Sequence, residues 1–488
     1  MKTIILFLFL LSTFTTLMAQ TPPDTLWTFH TGDPNRDDAL ISIQQTNDAG
    51  FICSGYCYPD SADYLDYWLL KLTGEGELEW ETKLGGDYTD YTFCVRETFD
   101  LGFILAGTTS SFGVDATDFW LVKTDPQGNL VWDHTYGGFS YDFCQHVEQT
   151  EDGGYIMTGY TISYGNGDYD IWVIKTDASG EIVWDITYGG EDGDYGECVI
   201  QTADLGYIIC GFTYSVDIGT SDALVVKLDS EGNVIWSETY GFDGWDYSYS
   251  IQQTSDSGFI LAGTTELSST LTNQAVLWKL DSNGNQEWSW EFGGIYDENI
   301  TNVIQTSDEG YVFSGLTSSY GNGQEDAWIF KTDNQGYFEW AQTMGFSGED
   351  TATDVIQTWN GDYVLCTVTN HFNGTDDPWI IRFGNGVAAE NPQIQSIPGT
   401  LKIFPNPFRY TRNRDSGLGI SFENKTNSFS QITIFDLRGR VVYRTRTDLD
   451  FVVWNGLDMG KKELGNGLYY CKVTSNSQDS YTKFVILK

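Results

Sequence analysis

Basic residues are scarce in this 488-residue chain, where 25 Lys and Arg face 69 Asp and Glu for a net charge of −44. The shortage is uneven: positions 21–399 hold ten bases and 61 acids, whereas 400–488 hold fourteen bases and eight acids. A field of that sign repels phosphate backbones, which excludes nucleic acid as a partner of the large part and favours cations or neutral ligands. Salt adaptation would have acidified the last ninety residues as well. Long apolar runs are missing too. After the first twenty residues no segment reaches eighteen, so no later stretch reads as a membrane-spanning helix.

Cysteine and histidine are sparse. Eight cysteines are too few for a disulfide scaffold in a chain of this length. Cys94 and Cys198 share one position of the repeat described below, while Cys53, Cys57, Cys144, Cys210, Cys366 and Cys471 do not join them there. Cys198 and Cys210 flank one hairpin and can pair; a buried free thiol is the reading for most of the eight. The four histidines, His30, His134, His146 and His371, show no metal-ligand spacing and are read as sharing no column, although His134 and His146 flank one loop. Nucleophile-elbow, phosphate-loop, Cys-x-x-Cys and His-Glu-x-x-His motifs are all lacking.

What the sequence does contain is repetition. Lys recurs at 71, 123, 175, 227, 279 and 331, with Arg382 one residue early, and Trp at 80, 132, 184, 236, 288 and 340. The Thr of a "QT" pair recurs at 46, 98, 150, 202, 254, 306 and 358 (Glu97-Thr98 in the second copy). The period is 52 residues. Each copy carries four strand signals and no helix; in the third they are 141–150, 154–159, 170–175 and 181–188, with Gly and Asp in the turns. Four antiparallel strands per repeat is the arithmetic of a propeller blade.

The array starts with a lone Trp strand, "DTLWTFH", and ends after "DDPWIIRFG" without one. Pairing the two closes a seven-bladed β-propeller over 25–385 and removes two open edges. In "DIWVIKTDASGEIVW" (170–184) the Trp residues are expected to wedge between blades, each stabilising by roughly 2–3 kcal/mol. Gly180 is expected in the left-handed turn position. This phrase resembles the tryptophan-docking repeats of quinoprotein-type propellers, which implies propeller packing over 25–385 and does not imply the quinone cofactor.

The two ends differ from the array. Residues 1–19 read as a secretory signal peptide: Lys2, an apolar run from Ile4 to Leu11, and the small-residue exit "TLMAQ" with cleavage near Ala19. Residues 386–400 read as a linker. The stretch 401–488 is expected to form a small Ig-like β-sandwich. Within it Pro405-Asn406-Pro407, the turn at Gly439, Trp454, Gly456, Gly467, Tyr469 and the final strand to Lys488 are similar to the type IX secretion C-terminal sorting domain of Bacteroidota-like bacteria. That resemblance implies the secretion machinery as a partner, passage through the periplasm, and delivery to the cell surface or the medium.

Most acids fall in structural columns. Asp125, Asp177, Asp229, Asp281 and Asp333 belong to outer turns, and Asp48, Asp100, Asp152, Asp204, Asp256 and Asp308 to inner hairpins. One column, Asp38, Asp90, Asp142, Asp194, Asp246, Glu298 and Asp350, precedes the innermost strand of every blade, and a second, Asp66, Asp118, Asp170, Asp222, Asp326 and Asp377, precedes the third strand on the same face. These carboxylates either cap loop amides or form an anionic mouth for a cation or a sugar, with calcium the metal that oxygen-only ligands suit. The resulting expectation is a secreted, non-catalytic propeller that binds an extracellular glycan, protein or cation-dependent partner. A polysaccharide hydrolase using the acidic face, and a purely structural surface protein, are the alternatives. No catalytic residue is assigned.

Overall fold

The computed structural model describes residues 22–384, apart from 34, 60–63, 115, 217–219, 243, 268–271, 322 and 371–374. In the C-terminal part it describes the strands between 402 and 487 with residues 462 and 464. The signal peptide, the linker, His371, Pro405, Asn406, Pro407, Gly439, Gly456 and Lys488 lie outside the described residues.

Every repeat folds as expected into a four-stranded antiparallel blade. The third consists of Asp142–Gln149, Tyr155–Thr161, Asp170–Thr176 and Ile182–Tyr188, within two residues of the sequence expectation. Blades 1 to 6 in chain order occupy 39–84, 90–136, 142–188, 194–240, 246–292 and 298–344. A seventh four-stranded sheet joins Asp350–Gln357, Tyr363–Thr369 and Asp377–Phe383 to the N-terminal strand Thr25–His30, with Phe29 opposite Ile380.

The recurring residues have recurring tasks. Each Trp on an outer strand meets an aromatic ring on the second strand of the next blade: Trp80–Phe103, Trp132–Tyr155, Trp184–Tyr207, Trp236–Phe259, Trp288–Tyr311 and Trp340–Tyr363, with ring centroids 5.5–6.5 Å apart. Trp27 and Phe51 repeat the contact at 5.7 Å between blades 7 and 1. Gly180 adopts φ 87°, and a side chain there would overlap Trp132 and His134.

The Gln of "QT" links blades as well. Its Oε1 accepts the turn amide of the preceding blade, as Gln201 does from Glu151 at 2.8 Å, and Gln45 accepts from Trp359 at 2.9 Å. The Lys column is buried, with Nζ 2.8–3.1 Å from the inner-hairpin Asp of the same blade in all six copies. Arg382 replaces it in blade 7, 2.8 Å from Asp362. An ammonium buried without that partner would cost about 3–5 kcal/mol.

The C-terminal unit is described by itself. Lys402–Phe404, Leu418–Ser421 and Phe451–Trp454 make one sheet; Phe408–Arg409, Gln478–Leu487, Gly467–Ser475, Ser430–Asp436 and Val441–Thr447 make another. Ile432, Ile434, Tyr469, Cys471 and Val473 are buried. Trp454, Gly467 and Tyr469 of the sorting motif therefore lie on strands. Among the described residues no helix is long and apolar enough to cross a membrane.

Candidate functional site

In each blade the first strand starts, and the second strand ends, on one face of the array. The first acidic column lies there and is buried: Asp38, Asp90, Asp142, Asp194, Asp246, Glu298 and Asp350 are 0–3% exposed. Loop donors surround these groups. Asp142 Oδ2 accepts Gly138 N at 2.9 Å and Ser163 Oγ at 2.8 Å, while its Oδ1 accepts the Thr161 hydroxyl. The equivalent amide reaches Asp38, Asp90, Asp194, Asp246, Glu298 and Asp350 from Asp33, Gly86, Gly190, Phe242, Gly294 and Phe346. None of the seven is among the residues lining the channel cavity described below.

The second column meets the first at the junction between blades. The backbone amide of Asp142 donates to Thr117 O of the previous blade at 2.8 Å, and the side chains of Asp118 and Asp142 converge over Gly137. A methyl group on Gly137 would overlap both carboxylates. Asp170 and Asp194 converge over Gly189 in the same way, and Asp326 and Asp350 over Gly345. Asp118 Oδ2 accepts Val114 N, but its buried Oδ1 has no partner. Burial, and then the charge of Asp142, push Asp118 up to about 6. Asp66, Asp246 and Asp377 are likewise raised to about 6, by burial first and by the facing carboxylate.

A cavity of about 350 Å³ is lined by the first strands of the four-stranded sheets. One 52-residue column in its wall reads Ser42, Cys94, His146, Cys198, Ser250, Asn302 and Asp354. His146 therefore lies midway between Cys94 and Cys198. The expectation compared the histidines only with one another; reading the cysteine column through places His146 in it. Arg96 Nη2 donates to His146 Nε2 at 2.9 Å, and Arg96 Nη1 donates to Ser42 Oγ at 3.3 Å. A guanidinium only donates, so the imidazole proton lies on Nδ1, which is buried without a partner. Glu197 lines the same wall, and burial, then Cys198, raise it to about 8. Asp354 accepts from Ile43 N, Asn302 Nδ2 and Val355 N. Among the described residues no three His, Cys, Asp or Glu converge as a metal site. All eight cysteines are free and buried.

Above the cavity the face is aromatic on one side only. Tyr91, Phe143, Tyr195 and Tyr247 follow directly after the first acidic column, where the other blades have Ala39, Asn299 and Thr351. Second-strand rings pair with them. The chain Phe143–Tyr160–Tyr195–Phe212–Tyr247 runs unbroken across blades 3 to 5 with centroids 4.7–5.2 Å apart, and Tyr56 meets Tyr91 at 6.2 Å. All seven rings are partly exposed. The 52-residue spacing of the four first-strand rings is the signal that could have found this crescent.

No curated protein matches the chain. Solved structures similar to it include PorZ of Porphyromonas gingivalis, described as an essential bacterial surface component of the type IX secretion system. The identity is 11% and the TM-score 0.42, covering 92% of this chain and 59% of that one. The Pan2 WD40 domain of Neurospora crassa has 10% identity and a TM-score of 0.47, covering 75% and 97%. Sqt1 of Chaetomium thermophilum has 10% identity and a TM-score of 0.44, covering 75% and 99%. The chain thus spans less than two thirds of the PorZ chain. Residues 402–488 match the family model of the secretion system C-terminal sorting domain. Such a tail directs export through the periplasm to the cell surface or the medium and implies contact with the type IX machinery. The chain therefore ends in a type IX secretion C-terminal sorting domain.

Proposed function

We propose that this protein is a secreted, non-catalytic, seven-bladed propeller that binds an extracellular glycan on its aromatic crescent. The propeller comprises 25–385, followed by a linker at 386–400 and an Ig-like sorting sandwich at 401–488. Closure into one ring is supported by the pairing of Thr25–His30 with Asp377–Phe383, by Trp27 on Phe51, and by the Trp359-to-Gln45 hydrogen bond.

The observation that carries the glycan reading is the unbroken chain of rings from Phe143 to Tyr247 beside the cavity mouth. A strict repeat needs no such asymmetry for folding, because three blades lack the first-strand ring. Partly exposed aromatic rings offer flat apolar surface for the C–H faces of sugars, and tyrosine hydroxyls supply polar contacts at their edges.

Glu197 gives a hydrolase reading its best foothold, since a carboxylic acid held protonated near neutrality can serve as a general acid. Hydrolysis needs a second carboxylate. Asp354 shares the cavity wall, but its oxygens are already engaged by three donors. That arrangement favours binding over chemistry.

The test is retention of the mature protein in gels containing soluble polysaccharides, with reducing ends measured in parallel. We expect retention on at least one glycan, weakened about tenfold by Tyr195→Ala, the loss of roughly 1.4 kcal/mol of stacking. Unchanged retention in the folded variant would sink the crescent as the site. Reducing ends that disappear in Glu197→Gln would establish the hydrolase instead.

A further inference from the structure

The cavity-wall column has a second layer. Each member faces one residue across the blade's first two strands: Ser42 faces Ser54, Cys94 faces Ala106, His146 faces Thr158, Cys198 faces Cys210, Ser250 faces Ala262, Asn302 faces Ser314 and Asp354 faces Cys366. Only blade 4 sets two thiols opposite each other. Directly opposed residues of an antiparallel pair lie about 4.5–5.5 Å apart at Cα, inside the span a disulfide bridges. Cys198 and Cys210 also pack in one apolar cluster, with Ile208, Ile251 and Val276, so their side chains leave the same face of the sheet.

Cys198 differs from the other thiols in what it can reach. It lines the cavity, as does Cys94, whereas Cys53, Cys57, Cys144, Cys210 and Cys366 do not. Cys94 directs its Sγ to Val147 O at 3.4 Å and has only Ala106 opposite. His146 neighbours both cavity thiols, but only Cys198 has a second thiol, Cys210, directly opposite it. The Cys210 thiol, against the effect of burial and with a hydrogen bond from His146 added, holds Cys198 well below the usual thiol range. His146 keeps an unspent Nδ1–H, with its tautomer fixed by Arg96.

We propose that Cys198 is a thiol–disulfide exchange site opening on the central cavity, with Cys210 as its resolving partner and small-molecule disulfides as its co-reactant. The Cys198 thiolate attacks one sulfur of R–S–S–R; that S–S bond breaks and R–S⁻ leaves with the bonding pair. Cys210 gives up its proton to solvent and attacks the Cys198 sulfur of the mixed disulfide, which expels the second R–S⁻. The two cysteines are oxidised by two electrons to one cystine, and the co-reactant is reduced to two thiols. His146 is a positioning residue that supports the thiolate.

The probe is the chromogenic disulfide of thionitrobenzoate, added to the folded mature chain, followed by intact mass and peptide mapping. Two equivalents of thionitrobenzoate per chain are expected from this site, with the protein two hydrogens lighter, no adduct, and Cys198 linked to Cys210. Cys210→Ser is expected to release one equivalent and to keep a stable adduct on Cys198. In Cys210→Ser, the further change His146→Gln should slow that release at least tenfold at pH 7 and move its pH profile towards that of a free thiol. A persistent adduct on Cys198 in the unmutated chain would overturn the resolving role of Cys210. Reaction only at other cysteines, with Cys198 intact in the folded chain, would overturn the site.

Discussion

Gln274 Nε2 lies 3.2 Å from Glu298 Oε2, at the one blade junction where the second acidic column has an amide in place of a carboxylate. Both side chains close over Gly293, as those of Asp118 and Asp142 close over Gly137. The amide supplies the hydrogen that a pair of carboxylates lacks. Asp118 can make the same contact only as the neutral acid, through the oxygen that has no partner. Asp118→Asn should therefore donate to Asp142 at any pH. We expect it to stabilise the fold at pH 7.5 by about 1 kcal/mol, the net worth of one buried hydrogen bond. Denaturant unfolding measures this, and a loss of stability would show that the ionised pair is held by something other than a shared proton.

The same junctions set a pH dependence with a definite sign. Asp66, Asp118, Asp246 and Asp377 have folded-state values of about 6 against an ordinary 3.8, so the fold binds protons that the unfolded chain does not. Their stabilising contribution is complete below the unfolded value and is lost as pH rises through about 6. The inner-hairpin Asp residues act oppositely: Asp152, held down to about 2 chiefly by Lys175 and Thr150 against its burial, contributes above 3.8 and loses that contribution as pH falls. Melting temperature should climb from pH 7.5 to about 5 and drop again below about 3.5. A monotonic fall from pH 7.5 downward would contradict the junction assignment.

Along-chain periodicity made the blades legible, because strand register, the Trp132 wedge and the left-handed Gly180 depend on neighbours at fixed sequence offsets. Lateral adjacency was harder to read. Asp118 and Asp142 were placed on the same face, but their pairing follows from which strand of one blade abuts which strand of the next. The column from Tyr91 to Tyr247 was present in the sequence and hidden by the acids beside it. Cys198 and Cys210 were legible as partners across one hairpin, whereas their direct opposition depends on the bulge at 197, and His146 between two thiols needed the 94–146–198 column read through.

Trp27 carries a test of ring closure. It packs on Phe51 as the six other interface tryptophans pack on their neighbours, and its Nε1 donates to Gly74 O at 3.3 Å. In a closed ring, Trp27→Ala should cost about 3 kcal/mol or more, comparable to Trp132→Ala. Both are measured by urea unfolding. An open array would make the Trp27 variant markedly milder, because an end contact then frays without breaking the rest.

Calcium binding at the first acidic column separates from capping by the same kind of measurement. Two carboxylates about 8 Å apart repel by roughly 2 kcal/mol at an effective dielectric near 20, so a column without partners would gain from a cation. Asp142, however, already receives one backbone amide and two hydroxyls, and the amide recurs in all seven copies. Calcium at those oxygens would have to displace donors that are in place. We expect millimolar calcium and chelator to leave the melting temperature of the mature chain unchanged, and Asp142→Asn with Asp194→Asn to lower it in both conditions alike through the lost charge-assisted hydrogen bonds. If calcium raises the melting temperature and the double variant abolishes the rise, the column is a cation site and the hydrogen bonds seen around it are those of its empty form.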